Sequence, residues 1–232
     1  SLVDASGAPV PLEGGGVAEK TVALLQGGRI VAIKGIGGYH LAVDALNDAA
    51  VMELRRRKRR PFKPFAVMAR SLGAAERLAE ISPAERDLLL SRERPIVLVK
   101  ERGAGVSRHV APGLSYQGIM LPYTPFQEHL FSIDPDMVLV MTSGNVSDEP
   151  IEYRDEAALA RLGRIADYFV MYNREIVGQG DDSVLYVVDG KPCFVRRSRG
   201  YVPVPFLSSE SPCAILAAVV GFAFGTLFSV SA

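Results

Sequence analysis

The chain has 232 residues, roughly one and a half domains at about 150 residues per domain. Lys plus Arg number 26 and Asp plus Glu number 26, so the formal charge is zero and any affinity for phosphate or nucleic acid has to be local. A chain 48% hydrophobic and 22% charged is not disordered, and two cysteines, Cys193 and Cys213, make neither a disulfide scaffold nor a four-thiolate zinc site. No basic stretch followed by an apolar one opens the chain, so a signal peptide is not read and a cytoplasmic enzyme or enzyme domain is expected. It starts at Ser1 without a Met and reads as an excised piece of something longer.

Residues 1–16 are small, polar and rich in Gly and Pro, and read as a linker. Val17 to Leu25 has helical spacing, ended by Gly27-Gly28. Arg29 to Lys34 predicts a buried strand that runs into a glycine loop, Gly35 to Gly38, and Leu41 to Asp44 a second strand. Asn47 is suited to cap a helix that passes Val51 and Leu54 and delivers Arg55 to Arg60 at its far end, before Pro61 and Pro64. A strand at Phe65 to Met68, helices at Leu72 to Ala79 and Pro83 to Leu90, and a strand at Pro95 to Val99 follow. Gly103 to Tyr116 reads as a long loop, Ile119 to Leu121 as a short strand, and Thr124 as the start of a helix. Met137 to Met141 is an apolar strand opening into Thr142-Ser-Gly-Asn145; a helix at Arg154 to Leu162 and a strand at Tyr168 to Met171 come next. Asp189-Gly190 predicts a hairpin joining Ser183 to Val188 with Pro192 to Arg196. The pattern is that of an α/β protein with a mixed sheet, its main domain spanning residues 17–206. Residues 207–232 form a tail with an uncharged run, Ala214 to Val230, at the short edge of a membrane span. Without basic anchors that run is read as the lead into a missing domain or a non-native extension, not as a membrane helix.

Three clusters carry candidate chemistry. In Arg55-Arg-Arg-Lys-Arg-Arg60 a continuous helix points the side chains in several directions, so only two or three can converge, and Lys58 with Arg60 are the best pair. A phosphate-bearing substrate is their natural partner, with nucleic acid and a plain solvated face as the alternatives. Ser143 and Asn145, after a strand end, offer a hydroxyl and an amide to phosphate oxygens, while Gly144 allows close approach; the same residues also suit a turn. Asp181 and Asp182, with Arg196, Arg197 and Arg199 nearby, read as an ion-pair network or as carboxylates near an Mg²⁺–nucleotide. His40, His109 and His129 lack metal-ligand spacing, and no phosphate-loop or dinucleotide fingerprint is present.

Taken in order, these segments resemble YrdC-type domains, in the version found within HypF, the carbamoyltransferase of NiFe-hydrogenase maturation. The residues that carry the resemblance are Ile33 to Ala45, Leu54 to Pro61 with Lys63 to Met68, Arg94 to Leu98, Gly118 to Pro125, Met141 to Ser147, Gly180 to Val184 and Arg196 to Pro203. The family's Lys-x-Arg and Ser-x-Asn signature is matched by Lys58-Arg59-Arg60 and Ser143-Gly144-Asn145. The resemblance implies a twisted mixed sheet with flanking helices around a concave basic pocket, in which carbamoyl-adenylate forms from ATP and carbamate. It implies Lys58 and Arg60 as catalytic residues, and Thr142, Ser143, Asn145, Ser183 and Arg197 as further phosphate contacts. It also implies an acyl pocket from Lys34, Gly35, Gly37, Gly38 and Tyr39, and Mg²⁺ with Asp181 or Asp182 nearby. Carbamate would come from carbamoyl phosphate, and a HypE-type protein would accept the product through a domain this chain lacks. The alternatives are threonylcarbamoyl-adenylate synthesis for tRNA modification and a non-catalytic RNA-binding module, which the neutral charge disfavours.

Overall fold

A computed structural model describes residues 1–12, 14–103, 105–146 and 149–204, together with two two-residue strands beyond them. Its centre is a mixed sheet of eleven strands. In chain order the described elements are β1 (Leu2–Asp4), α1 (Val17–Gln26), β2 (Val31–Lys34), β3 (Tyr39–Asp44), α2 (Asp48–Lys58), β4 (Ala66–Ala69), α3 (Leu72–Leu78), β5 (Ala79–Glu80) and α4 (Pro83–Leu90). They continue with β6 (Ile96–Glu101), β7 (Tyr116–Met120), α5 (Pro125–Ile133), β8 (Val138–Ser143), α6 (Asp155–Leu162), β9 (Tyr168–Val170), β10 (Val184–Val188) and β11 (Lys191–Arg196). The sheet order is β1-β9-β2-β3-β8-β4-β7-β6-β10-β11, with β5 paired to β6.

Successive residues of the central strands enter opposite cores, as the two-residue period of a strand demands. Ala32, Val67 and Val140 face the side covered by α2, α3, α4 and α6; Ile33, Met68 and Met141 face the side covered by α1 and α5. Covering both faces removes the polar alternation, which is why Met137 to Met141 reads as an unbroken apolar run. The helices start where their capping residues put them. The Asn47 side chain accepts from Ala50 N–H, while Ser82 with Glu85 and Thr124 with Gln127 form reciprocal capping boxes.

Two expectations are corrected. Residues 1–16 are not simply a linker: Leu2–Asp4 pairs antiparallel with Tyr168–Val170 and forms the sheet edge. The strand expected at Ile119 to Leu121 starts sooner, because β7 begins at Tyr116, opposite Lys100. Buried Gln117, whose amide donates to the Phe65 carbonyl at 2.9 Å, disguises that strand as loop. The Asp189-Gly190 hairpin forms as read, both residues adopting the positive φ that its tight turn needs. The uncharged run at 214–230 lies outside the described residues, except that Leu216–Ala217 and Phe228–Ser229 pair antiparallel. Among the described residues no helix is long and apolar enough to cross a membrane.

Candidate functional site

The site is built around the end of α2. Its last residue, Lys58, is followed by Arg59 in the left-handed conformation (φ 51°), which breaks the helix and turns the chain into the 60–64 loop. That break divides the six cations. Arg55 is buried and internal. Arg56 and Arg57 pair with Glu53 at 2.7 Å, and Arg57 also with Asp167 at 2.7 Å. Lys58, Arg59 and Arg60 reach a cavity of about 530 Å³ on the other side of the break. A continuous cationic stripe for RNA is therefore not what the fold presents.

Lys58 is 2% exposed. Its ammonium donates to the carbonyls of Ser143 (2.6 Å) and Asn145 (2.8 Å) and to Asn145 Oδ1 (2.7 Å). Burial, with the charges of Arg60 and Lys63 added and Asp181 opposing, pulls its pKa down to about 7. Asn145 Oδ1 also accepts from Ser143 Oγ at 2.8 Å, while its amide nitrogen donates to the Glu149 carbonyl at 2.5 Å, so the orientation of the amide is set. Gly144 sits where a Cβ would lie 2.6 Å from the Tyr39 carbonyl, so only glycine lets the strand end close against β3. Arg60 donates to the Lys63 and Pro64 carbonyls and to Thr142 Oγ1 at 3.2 Å.

Lys58, Arg60, Ser143, Asn145, Asp181 and Arg197 all line this one cavity. Several expected residues lie elsewhere. Thr142 is buried and reaches the site only through its bond to Arg60. Ser183 is fully buried; its hydroxyl donates to the Arg199 carbonyl and accepts from Ser198 N–H, which ties the 196–199 segment to β10. Asp182 faces inward, with His40 Nε2 at 2.8 Å and Arg199 Nε at 2.7 Å. Although burial opposes it, His40 and Arg199 hold the Asp182 carboxyl well below the usual range.

The residues expected to form an acyl pocket are structural or belong to another cavity. Lys34 pairs with Asp155 at 2.7 Å and lines a separate cavity of about 420 Å³ with Ile36, Tyr123 and Tyr172. Tyr39 is fully buried and its hydroxyl donates to the same Asp155. Gly35 lies against His40 and Gly38 against Ile151. Gly37 packs on Gly180, where a Cβ would lie 2.3 Å from the carbonyl, so the glycine loop buttresses the cavity wall from behind.

Sequence reasoning singled out none of Phe62, Lys63, Glu149, Gln179 and Ser198, which also line the cavity, and of the three arginines it left open, Arg196 and Arg197 are on the wall. Lys63 and Phe62 had a readable signal, since they sit in the Pro61–Pro64 break beside the cation run; Glu149 and Gln179 had none. Among the described residues no group of three His, Cys, Asp or Glu could hold a metal ion. The cavity presents cations, a hydroxyl and an oriented amide, a set suited to a polyphosphate.

Comparison with known proteins gives a consistent picture. The family model described as "Telomere recombination" (Sua5, YciO and YrdC) matches residues 23–198. The carbamoyltransferase HypF of Rhizobium leguminosarum bv. viciae is 46% identical over 200 residues, 83% of this chain and 26% of that protein. HypF2 of Cupriavidus necator is 44% identical over 236 residues, 94% of this chain and 29% of that one. The crystal structure of full-length HypF in its phosphate- and nucleotide-bound form superposes with a TM-score of 0.85 at 45% identity, covering 93% of this chain and 28% of that one. P. abyssi Sua5 complexed with L-threonine superposes at 0.69 with 19% identity over 78% of this chain and 54% of that one, a likeness of fold alone. The chain thus spans little more than a quarter of the HypF proteins it matches, and it belongs to the Sua5/YciO/YrdC family.

Proposed function

We propose that this chain binds ATP in the Lys58–Arg60 cavity and joins carbamate to the adenylyl group, as one part of a carbamoyltransferase acting in hydrogenase maturation. A carbamate oxygen forms a bond to the α-phosphorus, the bond from that phosphorus to the bridging oxygen breaks, and pyrophosphate leaves with the electron pair. The step needs in-line placement and neutralisation of phosphate charge more than it needs an acid or a base. The observation that carries the reading is the convergence of Lys58, Arg60, Ser143 and Asn145, drawn from two distant segments, on one cavity wall.

Arg60 and Arg197 would neutralise the triphosphate, and the second N–H of the Asn145 amide would orient it, with Ser143 O–H turned from Asn145 Oδ1 to a phosphate oxygen. Mg²⁺ takes one or two carboxylates together with phosphate oxygens, and among the described residues Asp181 and Glu149 are the carboxylates on the wall. That donor set fits an ion arriving with the nucleotide, where it would offset phosphate charge. Carbamate from carbamoyl phosphate, and a HypE-type acceptor served by a further domain in the route to the cyanide ligand, belong to the same proposal. The test is ATP–pyrophosphate exchange with carbamoyl phosphate or carbamate supplied, run beside threonine plus bicarbonate. Exchange that needs the carbamoyl source and disappears in Arg60→Ala supports the reading; exchange that responds only to threonine overturns it.

A further inference from the structure

The loop at 60–64 places an aromatic ring where nothing in the phosphate chemistry requires one. Phe62 is 81% exposed yet lines the cationic cavity, between Arg60 and Lys63. A phenyl ring left in water on a mobile loop would ordinarily fold back onto apolar surface. Here the backbone prevents that. The buried guanidinium of Arg55 gathers the carbonyls of Arg60 (2.7 Å), Pro61 (3.3 Å) and Lys63 (3.1 Å), and binds His109 and Val110 on its other side. Pro61 and Pro64 restrict φ on either side of the ring. Arg55 and Arg60 both lie over the Phe65 ring, at 4.4 and 5.1 Å from its centre, which ties the base of the loop to the core. The loop is thus held in shape while its one aromatic side chain stands out over the cavity.

We propose that Phe62 is the platform on which the nucleotide base stacks, and that Arg55 is the positioning residue that holds it there. This rests on the nucleotide reading above and goes beyond it by separating base recognition from phosphate recognition. The cations, Ser143 and Asn145 would take the phosphates, while the exposed ring would meet the π-face of the base. Stacking is tolerant of base identity, so the platform would supply affinity for a nucleoside triphosphate over bare polyphosphate rather than a strict choice of purine.

The experiment compares ATP with inorganic tripolyphosphate by titration calorimetry on the wild-type chain, Phe62→Ala and Arg55→Lys. Because Phe62 is exposed, its truncation leaves the core untouched. The expected result is a roughly tenfold or greater loss of ATP affinity in Phe62→Ala with tripolyphosphate binding unchanged. Arg55→Lys keeps the charge but cannot reach five carbonyls, and is expected to weaken ATP while speeding amide exchange in residues 60–64 with no ligand present. The chain contains no Trp, so Phe62→Trp adds a single fluorophore whose emission should be quenched by ATP and not by tripolyphosphate. Equal ATP affinity in wild type and Phe62→Ala, or equal losses for both ligands, overturns the platform and leaves the ATP reading standing. A wild-type chain that binds neither ligand overturns the ATP reading and the platform with it.

Discussion

The ammonium of Lys58 lies 2.7 Å from the side-chain oxygen of Asn145, although 87 positions separate them in the chain. This contact fastens the end of α2 to the end of β8 and places the cations of one segment beside the hydroxyl and amide of the other. Removing the ammonium takes away three hydrogen bonds, to the Ser143 and Asn145 carbonyls and to Asn145 Oδ1, and leaves the Asn145 carbonyl without its donor. Lys58→Met is therefore expected to lower stability by about 1–3 kcal/mol, read by urea unfolding. ATP affinity should fall at least tenfold in the same variant.

The same residue sets a pH dependence. Its pKa is about 7 in the folded chain against an ordinary 10.5, so between these values the unfolded chain binds more protons than the folded one. Stability then gains a component that rises with pH from about 7 to 10.5, and Lys58→Met should lack it. Denaturation midpoints at pH 7, 8.5 and 10 on both proteins check this; parallel curves would refute it.

Asp182 is expected to matter for the opposite end of the scale. His40 and Arg199 hold its carboxyl low, so its contribution is present above the unfolded value near 3.8 and is lost as pH falls through the folded one. Asp182→Asn strands two buried partners and should cost about 3–5 kcal/mol at pH 7. It should also flatten the loss of stability below pH 4. An acid-unfolding profile like that of the wild type would show that the carboxylate plays no such part.

The cation run should divide sharply on substitution. Arg56 has a side chain 72% exposed and pairs with Glu53, so Arg56→Ala should change stability by less than about 0.5 kcal/mol and leave ATP binding alone. Arg60→Ala should weaken ATP by about 1.5–3 kcal/mol, tenfold to a hundredfold. Equal effects at both positions would return the run to a non-specific basic surface.

Gly144→Ala drives a methyl to 2.6 Å from the Tyr39 carbonyl and 2.8 Å from its Cβ, both in the rigid core. About 1–3 kcal/mol of stability should be lost through overpacking, with ATP affinity falling because Ser143 and Asn145 move with the backbone. Melting in the presence and absence of nucleotide reads both effects.

Much of this architecture could be read from the chain directly, because its causes are local. Asn47, Pro83 and Thr124 begin helices where their side chains or fixed φ satisfy the first turn, and Asp189-Gly190 permits only a tight hairpin. The unbroken apolar runs are strands with both faces covered. The pairing of Lys58 with Arg60 as the inward cations was also legible, from helical geometry and the proline break that follows. Other assignments failed where the decisive partner was distant. Asp181 and Asp182 are neighbours of the same type, yet one lines the cavity and the other is buried, because His40 lies 142 positions away and nothing local marks it. Ser183 looked like a phosphate ligand until the Arg199 carbonyl claimed its hydroxyl. Leu2–Asp4 looked like lead-in because a three-residue edge strand leaves almost no periodic signal. The amino-acid order by itself determined most of the helices, strands and turns, since capping, backbone restriction and apolar patterning act over a few residues. Only the tertiary structure decided which cations meet, which carboxylate is buried and which ring stands over the cavity, because those outcomes depend on charges and carbonyls brought together from remote parts of the chain.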